Sequence, residues 1–131
     1  MKNTIFKLTE YVYYFSLFVL LILYLFPGSL IGYFLYGNLG QQPNLISNPI
    51  GTSINHLVFF SYITLLATKV RLRAKNILTN YRLILFISCV LEISHLIIPN
   101  RAFEFYDLIA NITGVVIILL LNSFFKWRRG L

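Results

Sequence analysis

The sequence predicts an all-α membrane protein, a bundle of four transmembrane helices with both termini in the cytoplasm. Three observations carry that expectation. Of the 131 residues, 58% are hydrophobic and only 11% are charged, against about 25% charged in ordinary soluble domains. The mean hydropathy is +0.77, whereas a soluble chain of this size has to cover most of its area with polar side chains. Lys and Arg also fall almost entirely on one side once four spans are drawn. The length fits a single transmembrane domain, residues 1–131.

A membrane helix takes about 20 mainly apolar residues, within roughly 17 to 25. The first span is expected over about 8–27, where LTEYVYYFSLFVLLILYLF runs into Pro27-Gly28. SLIGYFLYG, residues 29–37, is too short to cross and reads as a helix extension or an interfacial segment. An uncharged outer loop rich in Gly, Pro, Asn and Gln covers 37–53. The remaining spans are expected over about 54–70, 82–98 and 107–126, with a basic loop over 69–82.

In this arrangement Lys2, Lys7, Lys69, Arg71, Arg73, Lys75, Arg82, Lys126, Arg128 and Arg129 share one side, and only Arg101 lies opposite. The positive-inside rule makes the basic side cytoplasmic. Three or five spans would split these clusters across the membrane. Topology thereby accounts for KVRLRAK, residues 69–75, whose composition also suits anionic lipid or nucleic acid. It accounts as well for the terminal KWRRGL, with Trp127 at headgroup depth. The net charge of +7 is thus an orientation signal, and nucleic acid is not an expected partner. The basic start and apolar run have the flavour of a signal peptide, but no small-x-small site follows, so an uncleaved first helix is expected. The expected location is the cell membrane, multi-pass. The single Cys89, inside LFISCVLEIS, has no disulfide partner and no base to make a thiolate, and reads as a small buried apolar side chain.

Charges cost about 2.5 to 3.5 kcal/mol at the centre of a membrane helix, so each one inside a span needs a reason. Glu92 lies six residues before Ile98, roughly 10 Å below the outer end of the third span. His95 is three residues on and shares its face. Pro99-Asn100-Arg101 turns the chain, and Glu104 and Asp107 lead into the fourth span. Asn111 follows Asp107 at i+4, Gly114 continues the face, and His56 starts the second span. The expected result is one outer polar pocket of His56, Glu92, His95, Arg101, Asp107 and Asn111 within the hairpin of the last two spans. Arg101 has the planar fork to pair with one carboxylate or bridge two. Ala110 and Gly114 form a small-xxx-small pair for close helix packing. A purely structural use of the same residues, pinning the hairpin, stands beside this reading. It explains a deep carboxylate poorly, because interhelical hydrogen bonds in membranes often contribute only about 0.6 kcal/mol.

The order Glu92-x-x-His95-x-x-x-Pro99-x-Arg101, then Asp107-x-x-x-Asn111-x-x-Gly114, with His56 at the start of an earlier helix, resembles the VanZ-like family of small bacterial membrane proteins. The resemblance covers about residues 54–120. It departs from the family where His95 stands for a glutamine, and where Thr52-Ser53 stands for an Asp-Lys pair. It implies a cell-envelope role, one member being linked to low-level resistance to the glycopeptide teicoplanin.

Four functions follow as expectations. The first is a non-enzymatic protein binding a lipid headgroup or lipid-linked envelope glycan through Arg101, His56 and His95. The second is an enzyme on such a lipid with Glu92 or His95 as base; it ranks lower because Ser88 and Ser94 read as hydroxyls bonded back to their own helix rather than as nucleophiles. The third is a metal held by His56, Glu92, His95 and Asp107. Glu-x-x-His is a ligand spacing of di-iron bundles, which need two such motifs and further glutamates, so neither metal nor cofactor is expected. The fourth is an accessory subunit of a larger membrane assembly, suggested by 12 Phe, 9 Tyr and 1 Trp.

Overall fold

The structure, a computed structural model, describes residues 2–43, 51–71 and 77–130. The described residues are helical and contain no strand. In chain order the helices are α1 (Lys2–Leu25), α2 (Leu30–Tyr36), α3 (Gly51–Arg71), α4 (Tyr81–Ser94) and α5 (Phe105–Arg128), with a single 3₁₀ turn at Ile77–Thr79 before α4. Two of them, Thr4–Leu25 within α1 and Phe105–Arg128, are long and apolar enough to cross a membrane. The expected basic loop lies partly outside the described residues, Arg73 and Lys75 included.

Local sequence explains the boundaries. Helix α1 stops at Pro27-Gly28, where Gly28 takes φ +91, a region favourable only to glycine. Ser29 caps α2 by accepting from the Gly32 amide at 2.9 Å, and Gly37 ends it in the left-handed conformation. The segment 29–37, read as extension or interfacial piece, is therefore a separate short helix. The chain returning from it is pinned by Ser29 N–H donating to Leu39 O at 2.7 Å. Asn80 caps α4 through the Arg82 amide. That helix ends at Ser94, four residues before the expected limit of 98, because Pro99 disfavours helix at the preceding residue and Asn100 turns the chain at φ 58. At 14 residues α4 is about 21 Å long.

Helix α3 is central. It packs along α5 and against α1, while α4 packs against α5. The core joins Tyr13, Leu20 and Tyr24 of α1 to Phe60, Ile63, Ala67 and Val70 of α3, with Ile84, Leu91 and Val115. Polar groups are buried among them, including Thr64, Thr68, Ser88, Glu92, Asp107 and Asn111, while Phe15, Phe18, Phe86, Ile97 and Leu120 are exposed. The hydroxyls of Thr64, Thr68, Ser88 and Ser94 donate to carbonyls of their own helices, as expected for the two serines. Cys89 is half-buried.

Gly114 of the small-xxx-small pair packs closely against α3. A Cβ on Gly114 would stand 2.5 Å from Leu57 O, 3.0 Å from Ser61 N and 3.2 Å from Phe60 Cβ. Ser61 Oγ donates across this contact to Gly114 O at 3.2 Å. Ala110, one turn earlier, is also buried. Gly114→Ala is expected to force the α3 and α5 backbones apart and to cost about 1–3 kcal/mol, read as a lower unfolding temperature in detergent micelles.

Candidate polar site at one end of the bundle

The C-terminal ends of α1 and α4 meet the N-terminal ends of α3 and α5, and the ionisable residues of the interior collect there. Helix placement explains each one. His56 is one turn into α3, Glu92 and His95 close α4, and Asp107 and Asn111 lie on the buried face of α5 one turn apart. All six predicted residues meet in this region, but their partnerships differ from the expected ones.

His56 is the hub. Its Nε2 lies 3.3 Å from Asp107 Oδ2, and its Nδ1 lies 3.6 Å from Glu92 Oε2. Glu92 and Asp107 therefore meet through a histidine of α3 rather than across the hairpin. Each carboxylate has one oxygen anchored. Glu92 Oε1 lies 3.3 Å from His95 Nδ1 and accepts from the Glu104 amide at 3.3 Å. Asp107 Oδ1 accepts from the Ser53 hydroxyl at 2.5 Å. Glu92 is fully buried, and its Oε2 has no hydrogen-bond partner among the described residues. The same holds for His95 Nε2.

A chain of hydrogen bonds fixes the His56 ring from behind. Asn111 Nδ2 donates to Ser88 O at 3.2 Å, which turns its Oδ1 toward Tyr24. The Tyr24 hydroxyl donates to that Oδ1 at 2.9 Å. Having spent its one proton, the Tyr24 oxygen accepts from His56 Nδ1–H at 2.6 Å. Tyr24 also stacks on His95, with ring centroids 5.4 Å apart and planes 18° apart.

Arg101 makes neither of the expected carboxylate pairs. Its guanidinium donates to the carbonyl oxygens of Leu23 and Phe26. These belong to the last turn of α1 and the residue after it, where a helix leaves carbonyls without amide partners and favours a cation. Burial pulls the Arg101 pKa down, opposed by Tyr24 and Glu92. Glu104 sits in the same turn, its pKa raised first by desolvation and then by Asp107 and Glu92.

Beside the hub a cavity of about 100 Å³ opens. Its polar wall holds His56, His95, Arg101, Asn55 and Ser29, and its apolar wall Leu20, Leu23, Leu30, Ile31 and Phe59. Gln42 and Pro43, from the chain after α2, complete the lining. Tyr24 and Ser53 have roles the sequence reading did not assign. Tyr24 lies on the buried stripe Tyr13, Ser16, Leu20, Tyr24 of α1, whose three- to four-residue spacing was the available signal. Ser53 precedes His56 at i, i+3 and so faces the same way.

Among these groups, His56, Glu92 and Asp107 can each offer one ligand atom with all three within 4.8 Å of one another. No family model, curated protein or solved structure matches the chain.

Tyr24→Phe removes the group between His56 and Asn111. It is expected to lower stability by about 1 kcal/mol, measured by thermal unfolding in micelles, with helical content unchanged.

Proposed function

We propose that the chain is a multi-pass protein of the cell membrane that binds the anionic headgroup of a membrane lipid or lipid-linked envelope precursor in this cavity. In this reading α1, α3, α4 with its following turn, and α5 form four spans with both termini cytoplasmic. The polar site then faces the extracytoplasmic surface. The charge distribution supports it. Lys69, Arg71, Arg82, Lys126, Arg128 and Arg129 all lie at helix ends opposite the site, as the positive-inside rule requires. The exposed aromatic and aliphatic side chains on α1, α4 and α5 are a poor surface for water and a good one for lipid. The order of Glu92, Pro99, Arg101, Asp107, Asn111 and Gly114 supports a VanZ-like envelope role in the same sense.

The observation that carries the binding proposal is His95 Nε2. It is buried and lacks a hydrogen-bond partner among the described residues, and His95 lines the same cavity as Arg101 and His56. An unmet buried polar atom costs about 1–3 kcal/mol, a cost that a headgroup oxygen relieves. The opposite wall of leucines, Ile31 and Phe59 suits the first methylenes of an acyl chain. A cavity with both walls fits an amphiphile better than a free anion.

The protein in dodecyl maltoside micelles is expected to bind short-chain phosphatidylglycerol or phosphatidic acid by calorimetry. Arg101→Ala should weaken that binding by tenfold or more, since a charged hydrogen bond contributes about 1.5–3 kcal/mol, while Arg101→Lys should retain part of it. Equal affinity in Arg101→Ala, in protein that still melts cooperatively, would sink the proposal. The topology is checked separately by cysteine labelling, with Asn38 expected outside and Arg128 inside.

A further inference from the structure

The hydrogen-bond chain through Tyr24 has a consequence for the other face of His56. Asn111 Nδ2 is committed to Ser88 O, so the Tyr24 proton points at Asn111 Oδ1 and the Tyr24 oxygen takes His56 Nδ1–H. In the neutral ring the Nε2 atom then presents a lone pair. That lone pair faces Asp107 Oδ2 at 3.3 Å, an acceptor against an acceptor. Glu92 Oε2, which lies 3.6 Å from the Nδ1 edge of the same ring, is a third acceptor close by, fully buried and without a hydrogen-bond partner among the described residues. Three acceptor groups gathered within 4.8 Å of one another in a buried setting call for a positive charge among them.

We propose that His56 Nε2, Glu92 and Asp107 bind a single divalent transition-metal ion. One imidazole and two carboxylates are a mixed nitrogen and oxygen set that suits Zn²⁺ or Mn²⁺, whereas Ca²⁺ takes six to eight oxygens. One ligand atom from each residue lies within 4.8 Å of the others, and an ion bound through bonds of about 2.0–2.2 Å would draw them closer together. The outer contacts have the form that metal ligands use. His56 donates its far nitrogen to Tyr24, Asp107 is held by Ser53, and Glu92 is held by the Glu104 amide beside His95 Nδ1. Such contacts fix ligand orientation. His95 is thus an orienting residue, and Glu92-x-x-His95 is not a ligand pair. With three protein ligands the ion keeps a coordination position open, and His56 also lines the cavity.

The proposal deepens the headgroup reading and rests on it for one point. Two buried carboxylates repel an incoming phosphate, and a divalent ion beside Arg101 reverses that field. The ion's own binding is measured without lipid. Wild-type protein in micelles, stripped with EDTA and titrated with Mn²⁺ and with Zn²⁺, is expected to bind one equivalent per chain and to melt at a higher temperature. Asp107→Asn and Glu92→Gln should each lower the affinity by about tenfold or more. Ser53→Ala leaves all three ligands in place and should cost about 10- to 100-fold; it carries the test where a ligand variant does not fold. Absence of stoichiometric binding by natively helical wild-type protein overturns the site. Binding unchanged in all three variants overturns it equally. Ion binding without Arg101-dependent lipid binding sinks the headgroup reading alone. Arg101-dependent lipid binding that persists in EDTA, with no ion bound, sinks the ion alone.

Discussion

Two carboxylates buried among helix ends govern how this bundle is put together. Glu92 is fully buried and Asp107 nearly so, and removing an ionised carboxylate from water is costly unless donors and counter-charge replace the hydration. The donors come from separate parts of the chain. Ser53 and His56 belong to the first turns of α3, His95 follows α4, and the Glu104 amide precedes α5. No one helix satisfies its own acid. The three helix ends are tied together because each acid depends on a neighbour, and Tyr24 extends the tie to α1.

Packing further down the bundle sets the geometry of the site. Gly114 lies two turns beyond Asp107 and lets the α5 backbone approach Leu57 and Ser61 of α3 closely. Leu57 adjoins His56 in sequence, so the same close approach fixes the reach between His56 Nε2 and Asp107 Oδ2. The hydroxyls deeper in the interior impose no comparable demand. Thr64, Thr68 and Ser88 bond back to carbonyls of their own helices, which removes them from the contest for partners. Cross-element hydrogen bonds also run along the bundle, from Tyr13 to Leu78 O, between Ser16 and Tyr62 and from Ser61 to Gly114 O, but the buried carboxylates and histidines gather at one end.

The helical class and the membership of the polar cluster were legible because a few charges in so apolar a chain stand out by cost alone. Glu92, His95, Asp107 and Asn111 share faces by simple helical spacing, and a close-packed Gly114 follows from the same count. Partnership was less legible. Arg101 and the carboxylates look like natural pairs in sequence, yet the exposed carbonyls ending α1 claim the guanidinium. A linear sequence does not display which helix end lies under a turn 75 residues away. Tyr24 was hidden for a related reason. In an aromatic-rich helix its phenol looks like one more lipid-facing ring until its hydroxyl is seen between His56 and Asn111. Placing α4 and α5 as the pair that builds the site followed from their short connection, whereas a glycine contact and a histidine make α3 the closer partner.

The position of Arg101 also bears on access to the cavity. By holding the end of α1, it fixes the point from which α2 and the following chain fold back over the site. That cover is held by Ser29 N–H on Leu39 O, by Asn55 Nδ2 donating to Pro43 O, and by Gly28 and Gly32, whose missing side chains admit the Leu39 and Gln41 backbone. The opposite wall is held by the buried Tyr24, His56 and Asn111 chain. Helix α2 exposes Ile31, Tyr33, Phe34, Leu35 and Tyr36, a composition suited to the membrane interface. In the four-span reading this puts the α2 wall of the cavity at headgroup depth, on the side facing lipid.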